Sequence, residues 1–255
     1  MASEWTELLA QPGTDRLSLF NALYKSASIV DLSVLLEKGI PKYYSHPSLI
    51  IDPTATHEHD GYANQALLMS EHTGTHVDAP YHMHADMADA TIERLQPDAI
   101  VGRCTVIDLS RRAWQPGERA SLADLQAALD ESGGHIEEGD VVLIHFGWMQ
   151  YWTTSKDWGY YADNQPGFTE DVADYLIANK VKAVGTDTAA VGTPVIQRTA
   201  VGPCYFHEKV LRQHIYLIEC LHQLHTLPAQ CFFVAAPLKI AKGSGSPIRA
   251  MAIVF

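Results

Sequence analysis

The chain contains thirteen histidines, and seven of them (His46, His57, His59, His72, His76, His82 and His84) fall between positions 46 and 84. The informative stretch runs Ser70-Glu71-His72-Thr73-Gly74-Thr75-His76-Val77-Asp78-Ala79-Pro80-Tyr81-His82. Neutral imidazole and carboxylate at this density are the donors that hold zinc or manganese while leaving coordination positions for water. On a helix His72 and His76 would share a face, but Asp78 would lie about 200° around from His76. On an extended strand, positions 72, 74, 76 and 78 all project the same way, and the glycine between the histidines leaves room for two rings. The β-branched Thr73, Thr75 and Val77 favour the strand, and Pro80 ends its pairing. The spacing therefore predicts a strand that presents His72, His76 and Asp78 around one hole, with His82 just past the proline. A lone histidine is more simply explained by a backbone hydrogen bond; two histidines and an aspartate on one face are not.

Three ligands leave a cation short of donors, and a second set lies far downstream. The segment from His207 to Glu219 reads as a short helix leading into an apolar strand, Ile215-Tyr216-Leu217-Ile218, that ends in a carboxylate. A carboxylate so placed demands a partner or a cation.

The elements that must carry these residues are mostly strands. Apolar, β-branched runs predict strands at 29–32, 65–69, 99–108, 141–146, 183–185, 215–219, 231–235 and 248–254. Amphipathic spacing predicts helices at 121–132, with Ser121 as N-cap, at 169–179 and at 207–213. Ahead of them, residues 1–28 carry a loose helical pattern broken by Pro12-Gly13, a helical extension of two short segments before a main body spanning 29–255. Many strands with few helices indicate a mixed, strand-rich α/β architecture rather than an alternating doubly wound one.

Composition narrows the partners. The 255 residues are 47% hydrophobic and 19% charged, enough to bury one substantial core, and the net charge is −12. A surface of that sign repels phosphate backbones and anionic leaflets, so neither nucleic acid nor membrane is expected as a partner. The acidic start, the absence of a long apolar run and four scattered cysteines without a C-x-x-C pair suit a cytoplasmic protein with no disulfide framework. The chain lacks a G-x-S-x-G elbow, a phosphate-binding G-x-x-x-x-G-K-[ST] loop and a dinucleotide fingerprint.

The run His72 to His82, H-T-G-T-H-V-D-A-P-Y-H, resembles the H-x-G-T-H-x-D-x-P-x-H signature of the metal-dependent cyclase-like hydrolases, which include bacterial kynurenine formamidase and isatin hydrolase. Asp31-Leu32-Ser33, Gly139 to Leu143 with Gly147-Trp148, Gly185 to Thr188, His207 to Glu219 and Gly245 to Ala250 follow in that family's order. The resemblance implies a swivelling β/β/α fold and a homodimer or homotetramer. It also implies one or two divalent ions, Zn2+ or Mn2+, the first on His72, His76 and Asp78, the second on Asp78, His207 and Glu219. His82 matches the histidine that gives and takes the proton. The reaction implied is hydrolysis of a small aromatic amide or lactam by hydroxide that the ion generates by lowering the pKa of its water from near 16 to about 7. A lactone hydrolase of the same family and a noncatalytic metal-binding scaffold are the alternatives; His82 has no purpose in the latter.

Formamidase members carry a W-P-G-D stretch where this chain reads Pro41-Lys42-Tyr43-Tyr44-Ser45-His46, so Tyr43 is the residue expected to stack on an aromatic substrate. His57-Glu58-His59-Asp60 reads as a solvated loop near the entrance. His84 is left as either site-lining or exposed, and Asp187 as either a ligand-orienting group or a cap. Trp148, Tyr151 and Trp152 more simply pack in the core than line a pocket, and the Gly243-to-Pro247 run reads as a plain turn.

Overall fold

The computed structural model describes residues 15–255. Fifteen strands are formed: β1 (Ser28–Asp31), β2 (Ile50–Ala55), β3 (Asn64–Leu68), β4 (His76–Asp78), β5 (Val101–Asp108), β6 (Arg119–Ala120), β7 (Val141–His145), β8 (Gly167–Phe168), β9 (Ala183–Thr186), β10 (Val195–Ile196), β11 (Thr199–Ala200), β12 (Tyr216–Glu219), β13 (Gln230–Val234), β14 (Gly245–Pro247) and β15 (Met251–Val254). Nine of them join one mixed sheet in the order β1-β15-β13-β5-β7-β9-β12-β4-β14. Its centre, β5-β7-β9-β12, is parallel, and the flanking pairs are antiparallel.

Both faces of that sheet are buried, which explains the near-continuous valine, isoleucine and leucine runs of the central strands. Val142, Ile144, Val184 and Leu217 point into the layer shared with the helices Leu122–Ser132, Glu170–Ala178 and Tyr205–Arg212. Val141, Leu143, Ala183 and Ile218 point to the opposite layer, with Leu32, Val77, Ile92 and Phe233. The helix Leu122–Ser132 is closed by a capping box: the Ser121 hydroxyl accepts from the Asp124 amide, and Asp124 accepts from the Ser121 amide. Among the described residues no helix is long and apolar enough to cross a membrane.

The eight strands and three amphipathic helices expected between 29 and 254 are found, with ends shifted by a few residues. Of the amino-terminal extension, the second segment is the helix Arg16–Ser26, with no buried residue; the first lies outside the described residues. Two expectations are corrected. Only His76–Asp78 of the 72–78 segment is strand, because Gly74 turns into the left-handed region at φ +65°. A Cβ there would stand 2.7 Å from Leu36 Cδ2. Instead of lying on the outer face of a strand, Thr75 is buried, its hydroxyl donating to the Cys220 carbonyl (2.7 Å) and accepting from the Val34 amide (2.9 Å). The Gly243-to-Pro247 run is likewise more than a turn, since Gly245–Pro247 pairs antiparallel with β4.

Candidate metal centre and pocket

His76 and Asp78 share the helix-covered face of β4 because they are two residues apart. The antiparallel register sets Glu219 of β12 directly opposite His76. The helix Tyr205–Arg212 lies over the same face and buries Phe206, His207, Val210 and Leu211, which returns His207 to the two carboxylates. His72 arrives from the Gly74 turn. Pro80 opens a single 3-10 turn, Pro80–His82, that brings the last histidine back beside His72, with ring centroids 4.2 Å apart. All five residues expected as ligands therefore meet, with His82 adjoining.

The distances define a connected set. His72 Nδ1 lies 2.7 Å from Asp78 Oδ1. His76 Nε2 lies 3.5 Å from the same oxygen and 3.2 Å from Glu219 Oε2. His207 Nε2 lies 3.1 Å from Glu219 Oε1 and 3.8 Å from Asp78 Oδ2. Two three-residue groups with donor atoms within 4.8 Å of one another share Asp78: His72, Asp78 and His82, and His76, Asp78 and Glu219.

The donor chemistry fits a divalent cation. His76 Nδ1 faces the Gly74 carbonyl at 2.8 Å, and a carbonyl only accepts, so that nitrogen carries hydrogen. His76 Nε2 then presents a lone pair to two carboxylates that are 1% and 4% exposed, an arrangement that needs either a second proton or a cation. Without a cation, protons hold the cluster together. Burial opposes charge on His76, but Glu219, then Asp78, lift it to about 9. His207 is raised in the same way against burial, by Glu219 and then Asp78. Burial works against ionisation of both carboxylates; the surrounding imidazoles nevertheless hold Asp78 and Glu219 below their ordinary values.

A pocket opens over this cluster. Tyr43 and His46 stand on its wall, with Met83, Tyr161, Ala189 and Cys204 supplying apolar surface around His82. Tyr43 packs 5.5 Å from the His46 ring, and its hydroxyl is pushed up to about 12 by burial and by Tyr44, so it stays neutral. Burial, reinforced by His72, His76 and His82, pushes His46 down to about 4. His82 is lowered chiefly by burial, with His72 and His207 adding to it against the pull of Asp78.

The remaining candidates fall outside the cluster. His57 to Asp60 form a four-residue helix with no buried residue, not a loop. His84 is buried, its Nε2 donating to the Glu208 carbonyl at 2.9 Å and its Nδ1 accepting from Arg212 at 2.8 Å. Asp187 is a cap, accepting from the amides of Phe146 (2.8 Å), Trp148 (2.6 Å) and Met149 (3.3 Å). Trp148 is core, its indole donating to the Tyr161 carbonyl at 3.0 Å. Sequence reasoning missed the groups that hold the ligands: the Val191 amide donates to Glu219 Oε1 (2.9 Å), and the Thr193 hydroxyl lies 3.3 Å from His207 Nδ1. No spacing rule connects these residues to positions 207 and 219.

Two buried carboxylates and three imidazoles gathered under an apolar pocket on a mixed sheet make a candidate metal centre. Residues 30–193 match the family described as "Putative cyclase", and the chain belongs to that family. It is 30% identical over 220 residues to an isatin hydrolase of Roseibium aggregatum, covering 82% of each chain. It is 29% identical over 224 residues to a kynurenine formamidase of Erythrobacter litoralis, covering 88% of this chain and 92% of that one. The solved structure of an isatin hydrolase bound to the product analogue thioisatinate superposes with a TM-score of 0.83 at 28% identity, over 96% of this chain and 99% of the other.

Proposed function

We propose that the protein is a metal-dependent hydrolase that opens the carbon–nitrogen bond of a small aromatic amide or lactam, of the isatin or N-formylkynurenine kind. The observation that carries this reading is the convergence of His72, His76, Asp78, His207 and Glu219 beneath a pocket whose wall offers Tyr43 and an apolar surface. These five residues would hold one or two divalent ions, zinc or manganese, whose chemistry is to acidify water and polarise a carbonyl.

The chain's own residues do the rest. Tyr43, neutral at pH 7, stacks on the aromatic ring and directs the carbonyl toward the buried cluster. Met83, Tyr161 and Ala189 exclude water from that ring. His82 is neutral because burial lowers it, so it takes the proton released as water adds to the carbonyl carbon. It then returns that proton to the nitrogen as the carbon–nitrogen bond breaks, so no net proton is gained or lost by the enzyme. A role for His82 as a further ligand, which its place beside His72 and Asp78 allows, is separated from this by metal content.

The same reading takes the protein as a homodimer or homotetramer. Leu17, Phe20 and Tyr24 lie on one face of the helix Arg16–Ser26 at 69%, 59% and 46% exposure, and Leu67 and Leu68 of β3 are exposed as well. Such apolar surface suits burial against another copy, and light scattering on the purified protein measures it.

The activity test is hydrolysis of isatin and N-formylkynurenine, with an aromatic lactone alongside, before and after chelation. Turnover of either nitrogen compound that chelator abolishes and metal restores is expected. Turnover of the lactone alone would move the reading to ester bonds, and metal binding without turnover of any of them would favour a scaffold.

A further inference from the structure

The run Gly243-Ser244-Gly245 is not used by the activity just described, yet it touches the metal centre. We propose that Ser244, oriented by Glu71, is a positioning residue that fixes which nitrogen of His72 is offered to the cation; this rests on the metal-centre reading above.

The Ser244 hydroxyl lies 2.6 Å from Glu71 Oε2, and the Ser244 amide donates to the same oxygen at 2.7 Å. A carboxylate only accepts, so the single hydroxyl hydrogen of Ser244 goes to Glu71. The other side of Ser244 Oγ, 2.9 Å from His72 Nε2, is then left as an acceptor, and His72 must carry hydrogen on Nε2. That leaves His72 Nδ1, 2.7 Å from Asp78 Oδ1, as the nitrogen offered to a cation on the ligand side. Histidine ligands are commonly held in this way by a group behind the ring, and loss of that group weakens metal binding by about 10- to 100-fold.

The local sequence is built for this approach. A Cβ on Gly245 would stand 2.6 Å from His72 Cε1 and 2.8 Å from the Val77 carbonyl; one on Gly243 would stand 3.1 Å from Glu71 Oε1 and 2.6 Å from Ile92 Cγ2. Backbone bonds fix the strap in place, the Ala79 amide donating to the Ser244 carbonyl and the Ile92 amide to the Gly243 carbonyl, both at 2.9 Å. The glycines on either side let the Ser244 hydroxyl come this close to the imidazole while its backbone stays tied to β4.

The test is zinc affinity by competition with a chromophoric chelator, together with long-range 1H–15N correlation of the histidine rings in the zinc-loaded protein. Ser244→Ala is expected to bind zinc about 10- to 100-fold more weakly, with metal-free melting unchanged, and Ser244→Thr to restore most of the loss. Glu71→Ala leaves Ser244 in place but frees its hydroxyl to donate to His72 Nε2, so it too is expected to lose about tenfold, which a merely space-filling serine would not show. In the wild type, His72 is expected to be protonated on Nε2. Wild-type zinc binding with His72 protonated on Nδ1, or undiminished binding by both Ser244→Ala and Glu71→Ala, overturns this inference alone. Failure of the wild type to bind zinc or manganese overturns the metal-centre reading and this inference with it.

Discussion

Loading the centre with metal must expel protons, and the structure says from where. In the metal-free protein His76 is held at about 9 by Glu219 and Asp78 against burial, and His207 is raised by the same carboxylates. A ligand nitrogen has to be deprotonated, so at neutral pH the incoming ion competes with a proton on His76, and the raised His207 opposes it in the same direction. Each proton displaced changes the apparent association constant about tenfold per pH unit, or about 1.4 kcal/mol. Between pH 8 and pH 6 the His76 proton alone therefore weakens binding about 100-fold, and His207 adds to that. The assay is calorimetric titration of zinc or manganese in buffers of different ionisation enthalpy; the slope of the observed heat against that enthalpy gives the protons released. At least one proton per site near pH 7 is expected. Zero release, with an affinity flat between pH 6 and pH 8, would show that the imidazoles are neutral in the free cluster and that the carboxylates do not hold protons on them. The metal-free stability follows the same groups. Because folding raises His76 above its ordinary value of about 6.5, its contribution is fully present below that pH and disappears as pH rises through about 9. Asp78 and Glu219, lowered by folding, contribute above the ordinary carboxylate range and lose that contribution on acidification.

Other perturbations separate the roles. His82→Ala is expected to keep its metal and to lose about 10²- to 10⁴-fold in turnover, measured by elemental analysis and initial rates on one preparation; loss of the metal would make His82 a ligand instead. Gly245→Ala pushes a methyl into His72 and is expected to weaken metal binding more than it lowers the metal-free melting temperature, because the clash falls on the imidazole as well as the Val77 carbonyl. Asp187→Asn keeps one oxygen but sets an NH2 where the other accepts, so at least one of the Phe146, Trp148 and Met149 amides loses its acceptor; it is expected to destabilise the fold by about 1–3 kcal/mol in denaturant titration while leaving metal affinity unchanged.

Much of this was legible before the fold was known, for reasons that differ by residue. The 76–78 pairing onto one face follows from the period of a strand, and Glu219 betrayed itself as a charge ending an apolar run. His72 comes to Asp78 by a different backbone from the one expected: the left-handed turn at Gly74 breaks the strand, and the imidazole reaches Asp78 by that turn. Left-handed glycines and open ones look alike in a sequence, so the close approach of Leu36 that requires glycine here was invisible. Ser244 and Glu71 were hidden for another reason, since their pairing spans 173 positions and depends on β14 closing onto β4. His84 went the other way: its partners, Glu208 and Arg212, come from a helix more than a hundred residues downstream, which makes a residue expected to line the site or lie exposed into a buried structural tie.

Two buried carboxylates and three imidazoles meet around Asp78 and are proposed to hold one or two divalent ions. Metal content per subunit of protein purified without chelator, compared with Asp78→Ala, tests this most directly. One or two divalent ions in the wild type and none in the variant are expected. A wild type that holds no ion after reconstitution with zinc or manganese, or an Asp78→Ala protein that holds as much as the wild type, would contradict it.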